Sequence, residues 1–174
     1  PNTNINTSLP IFGNYTYEVG LQKVYPFTIY DLASLTKVVA TTTAAMICYD
    51  RNLFSLDDKV VKYIPEFAVN GKENITIKHL LLHNTGLPAW KKFYRRGLIS
   101  EDVIKEIYSE ELEYKTGEKT VYSDLGIITL GKIIEKVTEQ SLDKFCSDNI
   151  FVPLKMESTF YTPDDLLKPL CAPT

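Results

Sequence analysis

Ser34 and Lys37 stand three residues apart in the stretch DLASLTKVVATTTAA. A hydroxyl is a poor nucleophile near neutral pH and needs a base within hydrogen-bond reach. Residues i and i+3 of a helix share one face, with a rise of about 4.5 Å between them. That spacing sends a serine oxygen and a lysine amine into the same space. Lysine can serve as the base when a poorly solvated pocket lowers its pKa. A serine at a helix N-terminus also gains from the dipole, and its own N–H can point at an oxyanion forming on an attacked carbonyl. The pair suits acyl transfer. Taken bare, Ser-x-x-Lys is a weak signal that reads more simply as a helix cap with a snorkelling lysine.

Helices must position such a pair, and helical patterns dominate from Ser34 onward. Residues 34–50 are apolar or small on nearly every side and predict a buried central helix. Ser55 with Asp57 and Asp58 reads as a cap and acidic first turn, opening a short helix that Pro65 stops. Thr76 caps a helix over about 77–83, closed by Gly86 and Pro88. Ser100, Glu101 and Asp102 start another, with Val103, Ile104, Ile107 and Tyr108 on one face. Residues 124–138 give the strongest period, with Gly126 and Gly131 permitting close helix packing, and Ser141 precedes a further helix. Thr162-Pro163-Asp164-Asp165 signals a last short one. Residues 1–30 are rich in Asn, Thr, Tyr and β-branched types and read as one or two strands.

The whole chain sets outer bounds. Its 174 residues suit one domain, with 44% hydrophobic and 24% charged residues typical of a globular composition. A net charge of −3 argues against a nucleic-acid partner or a broad attraction to anionic lipid. No apolar run is long enough for a membrane span. Cys48, Cys146 and Cys171 are odd in number and widely spaced, which excludes a disulfide framework or thiolate zinc site as the organising feature. Localisation is not legible, since the Asn6, Asn14 and Asn74 acceptor triplets arise often by chance.

Five blocks change the weight of the Ser-Lys pair: IYDLASLTK, NLFSLDDKVVKYIPEF, ITIKHLLLHNTGLP, TGEKTVYSDLGIITLGKIIEKVT and VPLKMESTFY. In this order, over most of residues 28–162, the chain resembles the serine β-lactamase and penicillin-binding protein superfamily. It lies nearest the class C β-lactamase, DD-peptidase and esterase branch. Ser-x-x-Lys is a signature of that wider group. The resemblance implies an α+β fold, β-lactamase/transpeptidase-like, in which an antiparallel sheet adjoins an all-helical domain. Residues 1–33 would supply N-terminal extended segments of the sheet, and residues 34–174 the nucleophile helix and helical domain.

By the same resemblance Ser34 is the acylated nucleophile, Lys37 its neighbouring base, and Tyr122 of VYSDLG the tyrosine that relays a proton to the leaving group. Asp124 occupies a substrate-contacting position where the family more often has Asn. An ionised carboxylate there only accepts hydrogen bonds and tends to raise the pKa of Lys37. Either Asp124 carries a proton, or Lys37 works as a cation and Tyr122 takes more of the base role. The resemblance implies a serine hydrolase or acyltransferase that forms an acyl-enzyme on small-molecule or peptide amides or esters, with no metal or organic cofactor. The alternative is a non-catalytic relative kept as a binding or assembly module. Esterase, peptidase and β-lactamase activities are not separable at this stage.

The family's third signature and later sheet strands have no match after Tyr122. The chain therefore reads as an N-terminal portion of a longer protein, or one that was shortened. Such a chain would lack the second oxyanion donor, worth on the order of 100- to 1000-fold in rate. Lys115-Thr116-Gly117 spells that signature but stands before Tyr122, and reads as a turn. His79 and His83 have the spacing of a helical zinc pair, yet Leu80 replaces the required Glu and no third ligand is evident; the resemblance places His83 at a structural turn. WKKFYRRG mixes aromatics with Lys91, Lys92, Arg95 and Arg96, and reads as a solvated loop.

Overall fold

The computed structural model describes residues 10–17, 22–93 and 97–174. They divide into two compact units, one from residues 1–33 with 158–174 and one from 34–157. In the first, extended chain pairs only at isolated bridges, Asn14 with Lys23 and Ile29 with Cys171. The expected opening strands are thus reduced to single contacts among the described residues. One cause is local: Pro26 has no N–H to give a ladder, and the chain turns there with Thr28 N–H on the Tyr25 carbonyl at 3.0 Å. Tyr15 steadies this unit by donating its hydroxyl to the Leu170 carbonyl at 3.0 Å.

The second unit is helical. Helix α1 (Thr43–Asp50) is entered through a π-helical turn, Lys37–Thr42. Then come α2 (Ile77–Leu81), α3 (Ser100–Ser109), α4 (Asp124–Thr138) and α5 (Leu142–Cys146), the last running into a second π turn, Ser147–Phe151. The core lies around α4, whose Leu125, Leu130, Ile133 and Ile134 are buried with Ala44, Ala45 and Cys48 of α1, Leu80 of α2 and Phe145 of α5. Burial raises the Cys48 thiol to about 11, which keeps it unreactive.

Three expectations are corrected. The helix that follows Ser34 is buried on one side only: Leu35, Val38 and Met46 are 60%, 64% and 65% exposed. Apolar composition on every side does not reveal how many sides find partners. The helix expected after Ser55 is two short 3-10 turns, Val60–Lys62 and Pro65–Phe67, so Pro65 opens an element instead of stopping one. Gly131 does allow close packing, since a Cβ there would lie 3.3 Å from Leu142 Cδ2, but at Gly126 the nearest atom is 3.9 Å away.

A buried lysine fixes the end of α3. Lys72 is fully enclosed, its ammonium donates to the Glu110 carbonyl, and it lies 5.3 Å from the Phe67 ring centroid. Asn70 adds a bond to the Ser109 carbonyl at 2.6 Å, so two donors serve carbonyls that the helix end leaves open. Burial pushes the Lys72 amine down from its ordinary range.

Candidate active site

Ser34 lies just ahead of the helix, its carbonyl taking the Lys37 N–H at 3.1 Å. The Lys37 ammonium donates to Ser34 Oγ at 3.2 Å. The preceding residue, Ala33, has φ +45°, a left-handed backbone that costs a Cβ-bearing residue roughly 1–2 kcal/mol. Its N–H is held by Asp31 Oδ1 at 2.8 Å. Strain of this kind is characteristic of functional turns.

Tyr122 and Asp124 arrive from the start of α4. Ser123 between them is the N-cap: its buried Oγ accepts the Gly126 N–H at 3.2 Å and donates to the Pro88 carbonyl at 2.7 Å. Asp124 is the first helical residue, and its N–H bonds the Ala89 carbonyl at 2.8 Å. The helix start is thereby tied to the 86–89 segment, which fixes the direction in which both neighbours project. Ser34, Lys37, Tyr122 and Asp124, the four residues singled out from sequence, come together.

Lys37 is the centre of this group. Its Nζ lies 2.8 Å from Asp124 Oδ1 and 4.9 Å from the Tyr122 ring centroid. The Asp124 contact is a close ion pair. Burial alone would press the Lys37 pKa down, but Asp124 and then Tyr122 outweigh it and hold the amine above its ordinary value. Tyr122 moves the other way. Hydrogen bonding to Lys37 first and Ser34 second holds its phenol below the usual tyrosine range. A cationic amine thus stands next to an acidified phenol, and the amine reaches the Ser34 hydroxyl.

His83 supports Tyr122 from behind. It has φ +53°, closing the turn after α2. Its carbonyl accepts the Val121 N–H at 2.8 Å, and its Nδ1 accepts the Ser123 N–H at 3.1 Å. Its ring centroid lies 4.8 Å from that of Tyr122. His79 faces elsewhere: it forms a capping box with Thr76, Nδ1 taking the Thr76 N–H at 3.0 Å. Among the described residues, no group of three or more His, Cys, Asp and Glu side chains is arranged to hold a metal.

The other motifs have local roles. Lys115-Thr116-Gly117 is a turn, with Glu118 N–H on the Lys115 carbonyl at 3.0 Å and Gly117 at φ +82°. Lys91 pairs with Glu110 at 2.5 Å, and Lys92 lies 5.6 Å from the Trp90 ring centroid. Arg95 and Arg96 fall outside the described residues. No helix among the described residues is long and apolar enough to cross a membrane.

The sequence profile of the Beta-lactamase family matches residues 14–173. The chain belongs to the β-lactamase family. A protein of Escherichia coli K12 named "Putative D-alanyl-D-alanine carboxypeptidase" is 36% identical over 149 residues, covering 78% of this chain and 34% of that protein. An N-acetylmuramyl-L-alanine amidase of Bacillus subtilis is 33% identical over 154 residues, with the same shares of 78% and 34%. The chain therefore spans about a third of the length of these β-lactamase-family relatives. Among solved structures, FmtA of Staphylococcus aureus superposes with a TM-score of 0.81 at 26% identity, over 92% of this chain and 45% of that one. A β-lactamase/D-alanine carboxypeptidase of Yersinia pestis superposes with a TM-score of 0.78 at 20% identity, over 93% and 48%, a likeness of fold. The β-lactamase/transpeptidase-like fold expected from the five blocks is the fold observed, here mostly helical.

Sequence reasoning missed one neighbour of this candidate site in the β-lactamase-family chain. The sequence marks His83 only as a turn residue, because its two bonds to the 121–123 segment join distant parts of the chain. A usable signal did exist: a histidine without a metal partner at the end of a short helix, directly followed by Asn84-Thr85-Gly86.

Proposed function

We propose that the protein is a serine hydrolase or acyltransferase working through an acyl-enzyme on Ser34. The observation that carries this reading is the meeting of the Ser34 hydroxyl, the Lys37 ammonium and the acidified Tyr122 phenol. Ser34 Oγ attacks the carbonyl carbon and the carbonyl π pair moves onto oxygen. The hydroxyl proton passes to the Tyr122 phenolate, which the adjacent Lys37 cation stabilises. Collapse of the tetrahedral adduct breaks the bond to the leaving group, which takes the proton from Tyr122. Water then repeats the sequence on the ester and frees Ser34. Asp124 keeps Lys37 charged, so Tyr122 carries the base role and Lys37 the electrostatic one.

Both named relatives, a carboxypeptidase and an amidase, support an amide of peptide type as the substrate class. An ester would be cleaved by the same steps. Asp124 also motivates a second reading, a non-catalytic binding or assembly module, because a lysine held as a cation cannot take a proton.

A fluorophosphonate and a fluorescent penicillin separate the two. Each is reacted with wild type and Ser34→Ala and read by intact mass, on these 174 residues and on the longest native polypeptide containing them. Label on Ser34 in either form, absent from Ser34→Ala, is the expected result. No label in either form at any pH from 5 to 10 would overturn the hydrolase reading in favour of the scaffold.

A further inference from the structure

The two backbone N–H groups on either side of Tyr122 both end on one residue. Val121 gives its N–H to the His83 carbonyl at 2.8 Å, and Ser123 gives its own to His83 Nδ1 at 3.1 Å. Between them the His83 ring packs against the Tyr122 ring, centroids 4.8 Å apart with planes inclined by 36°. Backbone bonds on both flanks and ring contact in the middle leave Tyr122 little freedom to leave Ser34 and Lys37. We propose that His83 is the positioning residue of this site, a clamp that holds Tyr122 only while Nδ1 carries no proton.

The proton assignment follows from the donor. An N–H can bond only a ring nitrogen with a free lone pair, so the neutral imidazole must carry its proton on Nε2. A second proton, on Nδ1, sets two donors face to face and breaks the bond to Ser123. That loosens both the Tyr122 flank and the cap of α4, since Ser123 is its N-cap. The charged and titratable groups around the ring are Lys37 from the π turn, Asp124 from the first turn of α4, and Tyr122 itself. Burial first and the Lys37 charge second disfavour the imidazolium, against the opposing pull of Asp124. The clamp is therefore closed at neutral pH and opens on acidification.

The backbone narrows the choice of residue. At φ +53° only Gly, Asn and Asp are accommodated readily, and histidine is among the few others found there. Asn is thus the informative replacement. It tolerates the left-handed turn, presents Oδ1 where histidine presents Nδ1, and does not titrate.

The role of the held phenol rests on the hydrolase reading, but the clamp can be measured without turnover. The chain is prepared with nitrogen-15 histidine and ring-labelled tyrosine and followed by NMR from about pH 5 to pH 8, as wild type, His83→Asn and His83→Ala. In wild type we expect the Nε2–H tautomer at pH 8. The Ser123 amide and the Tyr122 ring should share one inflection below the ordinary histidine range. His83→Asn should keep the wild-type Ser123 and Tyr122 signals and lose the inflection; His83→Ala should lose both. On the polypeptide form that labels, fluorophosphonate modification of Ser34 should fall about 10- to 100-fold in His83→Ala and recover to within about threefold in His83→Asn.

The Nδ1–H tautomer in wild type would overturn the clamp, and this reading requires no variant to fold. So would an acid inflection that persists in His83→Asn, or Tyr122 signals and labelling unchanged in His83→Ala. The expected NMR signature with no Ser34 labelling anywhere supports the clamp and refutes the hydrolase. Full Ser34 labelling in His83→Ala does the reverse.

Discussion

Replacing Asp124 by Asn isolates what the carboxylate does to Lys37. The charges lie 2.8 Å apart, with 17% of the lysine side chain and 45% of the aspartate side chain exposed. Two unit charges at that distance attract by about 1.5 kcal/mol at the dielectric of water and about four times more at an effective value near 20. The facing Asp124 oxygen is buried while the rest of its side chain is open to solvent, so the attraction lies toward the lower of these figures. The elevation of Lys37 depends on Asp124 and Tyr122 outweighing burial. Asp124→Asn should therefore lower its titration, leaving burial a larger share. The assay is an NMR titration of lysine side-chain carbons, with Lys37→Arg to assign the signal. Labelling of Ser34 near pH 9 should rise in parallel, up to about tenfold, as the neutral amine becomes able to accept a proton. A Lys37 titration that stays put or rises in Asp124→Asn would refute the charge argument and, with it, the division of roles between Lys37 and Tyr122.

Two other expectations concern stability. Gly86 has φ +94°, and a Cβ there would collide with the Tyr114 carbonyl oxygen, so Gly86→Ala should cost about 3 kcal/mol in urea unfolding; a loss under 1 kcal/mol would show that the 112–114 segment yields easily. Asp58 accepts from Ser55 N–H at 2.9 Å, Tyr63 Oη at 2.6 Å and Lys62 Nζ at 2.9 Å, which hold its carboxyl down to about 2. A depressed carboxyl adds stability above its unfolded value near 3.9, lost as pH falls through about 2. After solvent screening, Asp58→Asn should cost roughly 1 kcal/mol at pH 7 and almost nothing at pH 2. An equal deficit at both pH values would remove the carboxylate as the cause.

Local signals in the sequence were the most legible. Helix α4 occupies 124–138 as its 3.6-residue apolar period implies, and Thr76 caps α2 with its side chain on the His79 N–H. Both features depend on neighbours a few residues away. The partial exposure of the helix after Ser34 was not legible, because Leu35, Val38 and Met46 look no different from core residues until their partners are known. The Ser34–Lys37 contact follows from spacing alone, whereas Tyr122 and Asp124 could be joined to it only through family resemblance. His83 needed the fold: its grip depends on a left-handed turn meeting a segment brought back from far along the chain.

The π turn at Lys37–Thr42 carries a practical consequence for mutational mapping. That turn takes one extra residue into the coil, and Thr43 Oγ1 donates back to the Val38 carbonyl beside it at 2.9 Å. Upstream positions follow one periodicity and downstream positions another, offset by about 100° of rotation. A scanning survey fitted with a single helical wheel would assign the wrong side to one half. Removing a residue between Val38 and Thr42 should rotate Ser34 and Lys37 together relative to α1, carrying both away from Tyr122 and Asp124 while their own contact, set by their spacing, persists.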